Sequence, residues 1–102
     1  MINKPSDEFL NSIPKLYATD VVPLNEKIIC AHFYTVTDCH WYICEYDGED
    51  LFYGYCVLNG WYDCAELGYV SYSELKECRV AFVEVIFDTE WIPKKFSEIE
   101  LG

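Results

Sequence analysis

Basic residues are scarce in this chain: 7 Lys and Arg stand against 18 Asp and Glu over 102 residues, for a formal net charge of −11. Between Lys27 and Lys76 there is none at all, while Asp38, Glu45, Asp47, Glu49, Asp50, Asp63, Glu66 and Glu74 fall in that interval. Proteins hold nucleic-acid backbones by neutralising phosphates with Lys and Arg. Direct binding to DNA, RNA or an anionic membrane surface is therefore disfavoured, and a basic protein surface is the partner that complementary charge would steer towards the chain. Long apolar runs are missing too. Nothing approaches the roughly 18 residues of a membrane span, and MINKPSDEFLNSIPK holds no run of about 7 to 15 that would make a secretory signal, so a cytoplasmic protein is expected. No internal repeat or low-complexity stretch occurs. In reducing cytosol the six cysteines, Cys30, Cys39, Cys44, Cys56, Cys64 and Cys78, read as free thiols acting as small apolar side chains.

What is plentiful is core material. Hydrophobic residues make up 52% of the chain and aromatics 18%, enough to fold despite the charge and to fill one domain over 1–102. Ser6 can cap a short helix over 6–13, with Asp7 and Glu8 at its positive end, Phe9, Leu10 and Ile13 at helical spacing, and Pro14 as the stop. Three runs rich in β-branched and aromatic residues follow, 27–35, 39–46 and 51–58, and read as an antiparallel meander over 27–58. Asp47-Gly48 is a hairpin signal, because Gly accepts positive φ and Asp bonds its own backbone; Asn59-Gly60 marks a second turn. A strand from Glu66 leads into Ser71-Tyr72-Ser73-Glu74, a capping-box pattern that starts a short helix ending at Cys78, with 66–78 as one unit. The segment 80–87 predicts a last strand, and the remainder, with Phe96, Ile99 and Leu101, a frayed tail. The expected fold class is α+β: one domain, mainly an antiparallel sheet of about 4–5 strands, helices at the N-terminus and after strand 4, and an aromatic face left open.

Beside this residue reading, the order of several elements resembles the DUF2958 family of small proteins from bacteria, plasmids and phages. The resemblance rests on Pro14-Lys15-Leu16-Tyr17, Pro23 to Lys27, His40 to Gly48, Phe52-Tyr53-Gly54-Tyr55 and Glu66 to Leu75, within about 13–99. At Val83-Glu84-Val85 this chain departs from the family, which more often carries an Arg beside an acidic residue there. A phage or mobile-element setting is what the resemblance implies; it supplies no reaction and no catalytic residues.

Catalytic and metal chemistry find little support. Zinc sites usually draw on close cysteine pairs such as Cys-x2-Cys, and none is present. Cys30 and His32 are expected to share a strand face, whereas Cys39 and His40 point oppositely. His32 and His40 are the only imidazole bases, with neither a Gly-x-Ser-x-Gly elbow nor a glycine-rich phosphate loop. No metal, cofactor or catalytic residue is assigned, and the protein is expected not to be an enzyme.

Acidic residues interleaved with aromatics stand out instead. The expected partner-binding set is Glu45, Asp47, Glu49 and Asp50 on an exposed hairpin, with Trp61, Tyr62, Asp63 and Glu66 beyond the next turn. Trp and Tyr are favoured interface anchors. In a mobile-element setting the expected role is an inhibitor of a basic host protein, such as a nucleic-acid-binding defence nuclease, acting as anti-CRISPR or DNA-mimic proteins do. Two alternatives stand beside it. One is a nucleotide-sequestering protein, with Lys15, Lys27, Arg79, Lys94 and Lys95 to meet phosphates; the other is a homodimer closed through the aromatic sheet face.

Overall fold

The computed structural model describes residues 1–77, 79–80 and 83–101; Cys78, with the end of the expected helix, and Ala81 and Phe82 of the expected last strand lie outside them. Helix α1 (Asp7–Asn11) starts at Ser6, whose hydroxyl accepts the Phe9 N–H at 3.1 Å, and it buries Leu10. Strand β1 (Ile28–Ile29) is followed by β2 (Ala31–Tyr34), β3 (His40–Tyr46), β4 (Leu51–Val57) and β5 (Glu66–Ser71). Helix α2 (Tyr72–Glu77) then leads to β6 (Arg79–Val80), β7 (Val83–Glu84), β8 (Ile86–Phe87) and β9 (Lys94–Lys95). The main sheet is antiparallel with order β5-β4-β3-β2-β8, and β1-β9 and β6-β7 form two small ribbons. A radius of gyration of 12.7 Å is that of a single domain, for which about 13 Å is expected.

Two expectations about the strands are corrected. The first run breaks at Cys30, because β1 pairs with β9 while β2 joins the main sheet. The last strand is likewise split, and only β8 reaches the main sheet, beside β2 through Phe33↔Phe87 and Tyr34↔Ile86. Apolar periodicity reports that a segment is extended but not which neighbour it pairs with.

Both sheet faces are covered. Against one face pack Leu10, Ile13, Tyr72 and Leu75 from the helical segments, over Phe33, Trp41, Ile43, Phe52 and Phe87. The other face, expected to be an open aromatic surface, holds Ile29, Tyr42, Cys44 and Val57 beneath Phe96, with Trp91 and Ile99 packed alongside. The tail is therefore not frayed: Phe96 is buried, its N–H donates to the Lys27 carbonyl at 2.9 Å, and the Trp91 indole donates to the Ile29 carbonyl at 2.9 Å. The face proposed to close a homodimer is occupied by the chain's own C-terminal segment, since aromatic area this large is more stable buried than wet.

The sheet's two edges differ. Ile2 runs parallel to Ile86, donating to the Val85 carbonyl at 3.0 Å and accepting from the Phe87 N–H at 2.9 Å, which screens the β8 edge. Among the described residues β5 pairs only with β4.

Candidate functional site

The eight residues expected to bind a partner do not form one face. The turn 47–50 lies at one end of β4, and Trp61, Tyr62, Asp63 and Glu66 lie at the other, about 20 Å away at the rise of an antiparallel strand.

Most of the hairpin carboxylates hold the fold together. Glu45 is 3% exposed and accepts hydrogen bonds from the Tyr17 N–H at 2.8 Å, the Thr19 N–H at 3.0 Å and the Thr19 hydroxyl. Burial alone would raise its pKa, but the Thr19 and Tyr17 donors and the charge of Lys27 together hold it below the ordinary value. Glu45 is thus an internal brace for the loop at 17–19, not a partner-facing charge. Asp47 Oδ1 accepts from the N–H groups of Glu49, Asp50 and Leu51 at 2.7, 2.8 and 2.9 Å, closing the turn in which Gly48 takes φ 88°. Asp50 reaches across to α2, bonding the Ser73 N–H at 2.9 Å and the Ser71 and Ser73 hydroxyls. These bonds hold the Asp47 and Asp50 carboxyls below their usual range, by the Leu51 and Glu49 amides in one case and the Ser71 and Ser73 hydroxyls in the other. In the expected capping box the Glu74 N–H reaches the Ser71 hydroxyl at only 3.4 Å, so the remote Asp50 is the better cap. Glu49 alone of the four is exposed.

At the opposite end a short 3-10 turn, Tyr62–Cys64, wraps the rim of the sheet. Trp61, 69% exposed, lines a hollow of about 210 Å³ together with Cys56, Leu58, Cys64 and Glu66. Asp63 and Glu66 are exposed beside it. Burial and the nearby Glu66 push the Cys56 thiol up to about 11, so it stays protonated and adds apolar surface. Next along the same β4–β5 ladder, Gly68 leaves open space: a Cβ there would meet no atom within 4 Å. Sequence reasoning named Trp61, Asp63 and Glu66 but not Leu58 or Cys56, which the β4 register brings to the hollow.

Tyr62 points the other way and joins a chain of polar contacts that the sequence did not reveal. His32 Nδ1 lies 2.9 Å from Asp88 Oδ2, His32 Nε2 lies 2.9 Å from His40 Nδ1, and His40 Nε2 lies 2.7 Å from Asp38 Oδ1. Asp38 Oδ1 also accepts the Tyr62 hydroxyl at 3.0 Å. Adjacent positions in the β2–β3 hairpin produce this line: His32 is opposite Tyr42 and Tyr34 opposite His40, so the two imidazoles meet on the diagonal of one face. Tyr42 stacks on His32 at 4.8 Å and Trp91 covers it at 5.0 Å. Burial lowers the His32 pKa, with His40 adding to the drop and the Asp88 hydrogen bond opposing it. The His40 and Tyr62 hydrogen bonds lower Asp38.

The same turn fastens the hollow. Gly60 (φ 70°) donates its N–H to the Asp38 carbonyl at 2.8 Å, and the Asn59 N–H reaches Cys39 Sγ at 3.3 Å. Cys30 does not join His32 as a ligand pair; it sits in the break between β1 and β2 and packs against the helix-covered core, while both His32 nitrogens already have partners. Among the described residues no group of three His, Cys, Asp or Glu side chains is placed to hold a metal ion.

Three of the lysines enlisted for a nucleotide phosphate, on or beside the β1–β9 ribbon, are engaged by other groups. Lys27 is buried and donates to the Thr19 carbonyl at 2.5 Å, Lys95 pairs with Glu26 at 2.9 Å, Lys94 lies over the Trp91 ring at 4.6 Å, and Lys15 lies beside the hairpin at Gly48. No family model, curated protein or solved structure matches the chain.

Proposed function

We propose that this protein is a non-enzymatic binding module that docks on a basic protein surface through the corner formed by Trp61, the adjoining hollow and the open edge of β5. The observation that carries the reading is a large indole, 69% exposed, beside an apolar hollow that Glu66 also lines, with Asp63 exposed on the adjoining turn. An aromatic anchor beside two carboxylates suits a partner that presents an Arg or Lys side chain, whose apolar stem fills the hollow while its charge meets Glu66. Strand β5, six residues and about 20 Å long, carries no Pro or Lys to guard its edge, and it offers backbone groups for an added strand. In the phage or mobile-element setting that the DUF2958 resemblance implies, the role is to occupy and block a basic host protein in the cytoplasm, for example a nuclease of a defence system. The nucleotide-sequestering alternative has less support, because Lys27, Lys94 and Lys95 are already engaged by Thr19, Trp91 and Glu26.

The test is capture of partners from nuclease-treated bacterial cytosol on the tagged protein, compared with Trp61→Ala and with the double variant Asp63→Lys, Glu66→Lys. One basic protein should be retained, should leave as salt rises, and should bind each variant about tenfold more weakly or less. Equal retention by all three proteins would place the interface elsewhere, and capture that resists salt would remove the electrostatic part of the reading.

A further inference from the structure

We infer that His32 and His40 together store one proton between Asp88 and Asp38, and that this proton braces the Trp61 corner, making its geometry sensitive to pH. The hydrogens along this line can be counted. A neutral imidazole offers one N–H and one lone pair, and an ionised carboxylate only accepts. The line Asp88–His32–His40–Asp38 has three contacts of 2.9, 2.9 and 2.7 Å, and each needs one hydrogen. Two neutral rings supply two, which leaves two lone pairs facing each other at one contact. Two fully protonated rings supply four, so that two N–H groups confront each other across the 2.9 Å His32–His40 gap. Three protons satisfy all three contacts.

Asp88 and Asp38, the two anions at the ends of the line, favour that state, whereas burial and the charge of Lys94 oppose it at His32; Tyr34, Tyr42, Trp91 and Tyr62 supply the remaining walls. Burial pushes the Tyr42 phenol up to about 12, so it stays neutral. Asp38 passes the state of the line to the corner, because its Oδ1 accepts from both His40 and Tyr62 and its carbonyl accepts from Gly60. A fourth proton must separate the rings. His32 is enclosed at 10% side-chain exposure against 18% for His40, so His40 is the ring that swings and releases Asp38. Because burial opposes a second charge on the pair at His32, the fourth proton enters only on acidification.

The consequence for partner binding rests on the Trp61 reading, but the stored proton does not, and its test requires no partner. Long-range proton–nitrogen NMR of the full 15N-labelled chain counts protonated ring nitrogens directly. At neutral pH three of the four should carry a proton; on acidification the fourth should fill, with the Trp61 indole signal moving at the same midpoint. That signal is identified by its loss in Trp61→Phe. In Asp38→Asn the fourth proton should still enter while the Trp61 response disappears. Two bare ring nitrogens at neutral pH, or an indole signal that ignores the titration, would overturn the inference. Either result would leave the capture experiment with Trp61→Ala untouched.

Discussion

Glu45 shows how a residue's chemistry depends on what surrounds it. In sequence it is one more acid in an acidic interval; in the fold it is a buried acceptor for three donors, two of them on Thr19. It also holds Tyr17, which sits at φ 70°, a left-handed conformation that costs an ordinary residue about 1–2 kcal/mol. Replacing Glu45 by Ala strands these donors and leaves Lys27 without its nearby counter-charge. Urea unfolding should register a loss of about 3 kcal/mol. The pH dependence has a defined sign. A carboxyl whose folded pKa is lowered contributes stability that is full above its unfolded value and is lost as pH falls through the folded one. Wild-type stability should therefore decline below about pH 4.5, and more steeply than that of Glu45→Ala, when melts are compared across acidic buffers.

At the scale of elements, the irregularity of β3 decides where its side chains go. Pairing runs Ile43↔Gly54 and then Glu45↔Tyr53, so Cys44 is an extra residue. Strict alternation would send Tyr46 to the face of Cys44; the bulge instead returns it to the helix-covered core with Ile43, while Cys44 packs in the opposite cluster. Gly54 sits against this distortion, where a Cβ would overlap the Tyr42 carbonyl oxygen and approach Ile43 Cα to 2.9 Å. Both obstacles are backbone and cannot rotate away. Gly54→Ala should cost about 2 kcal/mol or more in urea unfolding, whereas Gly68→Ala, directly opposite in β5 and open to space, should change stability by no more than about 0.5 kcal/mol. Helix α2, only six residues long, depends on a cap from another element: Asp50→Ala should lower the urea midpoint, with amide exchange rising first at Ser73 and Glu74.

For the whole molecule the governing quantity is a net charge of −11 on a body 38 × 31 × 22 Å. At about 0.01 M salt the screening length is about 30 Å, comparable to the molecule, so its carboxylates repel one another across the domain; at about 0.15 M it falls to about 8 Å. Salt should therefore raise the melting temperature by a few degrees between these conditions, while weakening attachment to a basic partner. Opposite responses of stability and binding to the same salt series would separate self-repulsion from docking. Equal signs would mean that the net charge governs neither.

The sequence by itself determined the class of the elements and several of their ends. Side-chain shape sets extended propensity residue by residue, Ser6 and Asp47 bond backbone within four positions, and Gly48 and Gly60 supply φ of 88° and 70° where turns need them. These are local effects and can be read locally. Tertiary structure decided the rest: that the first run breaks at Cys30, that β8 docks beside β2, that Phe96 and Trp91 return to seal the second face, and that Glu45 turns inward. It also placed Asp88 against His32, 56 positions earlier in the chain. Such outcomes depend on register between distant segments, where a slip of one residue moves every side chain to the other face. The balance that selects the register is between burying aromatic area and finding hydrogen bonds for buried polar groups, and it is settled only when all the strands are in place.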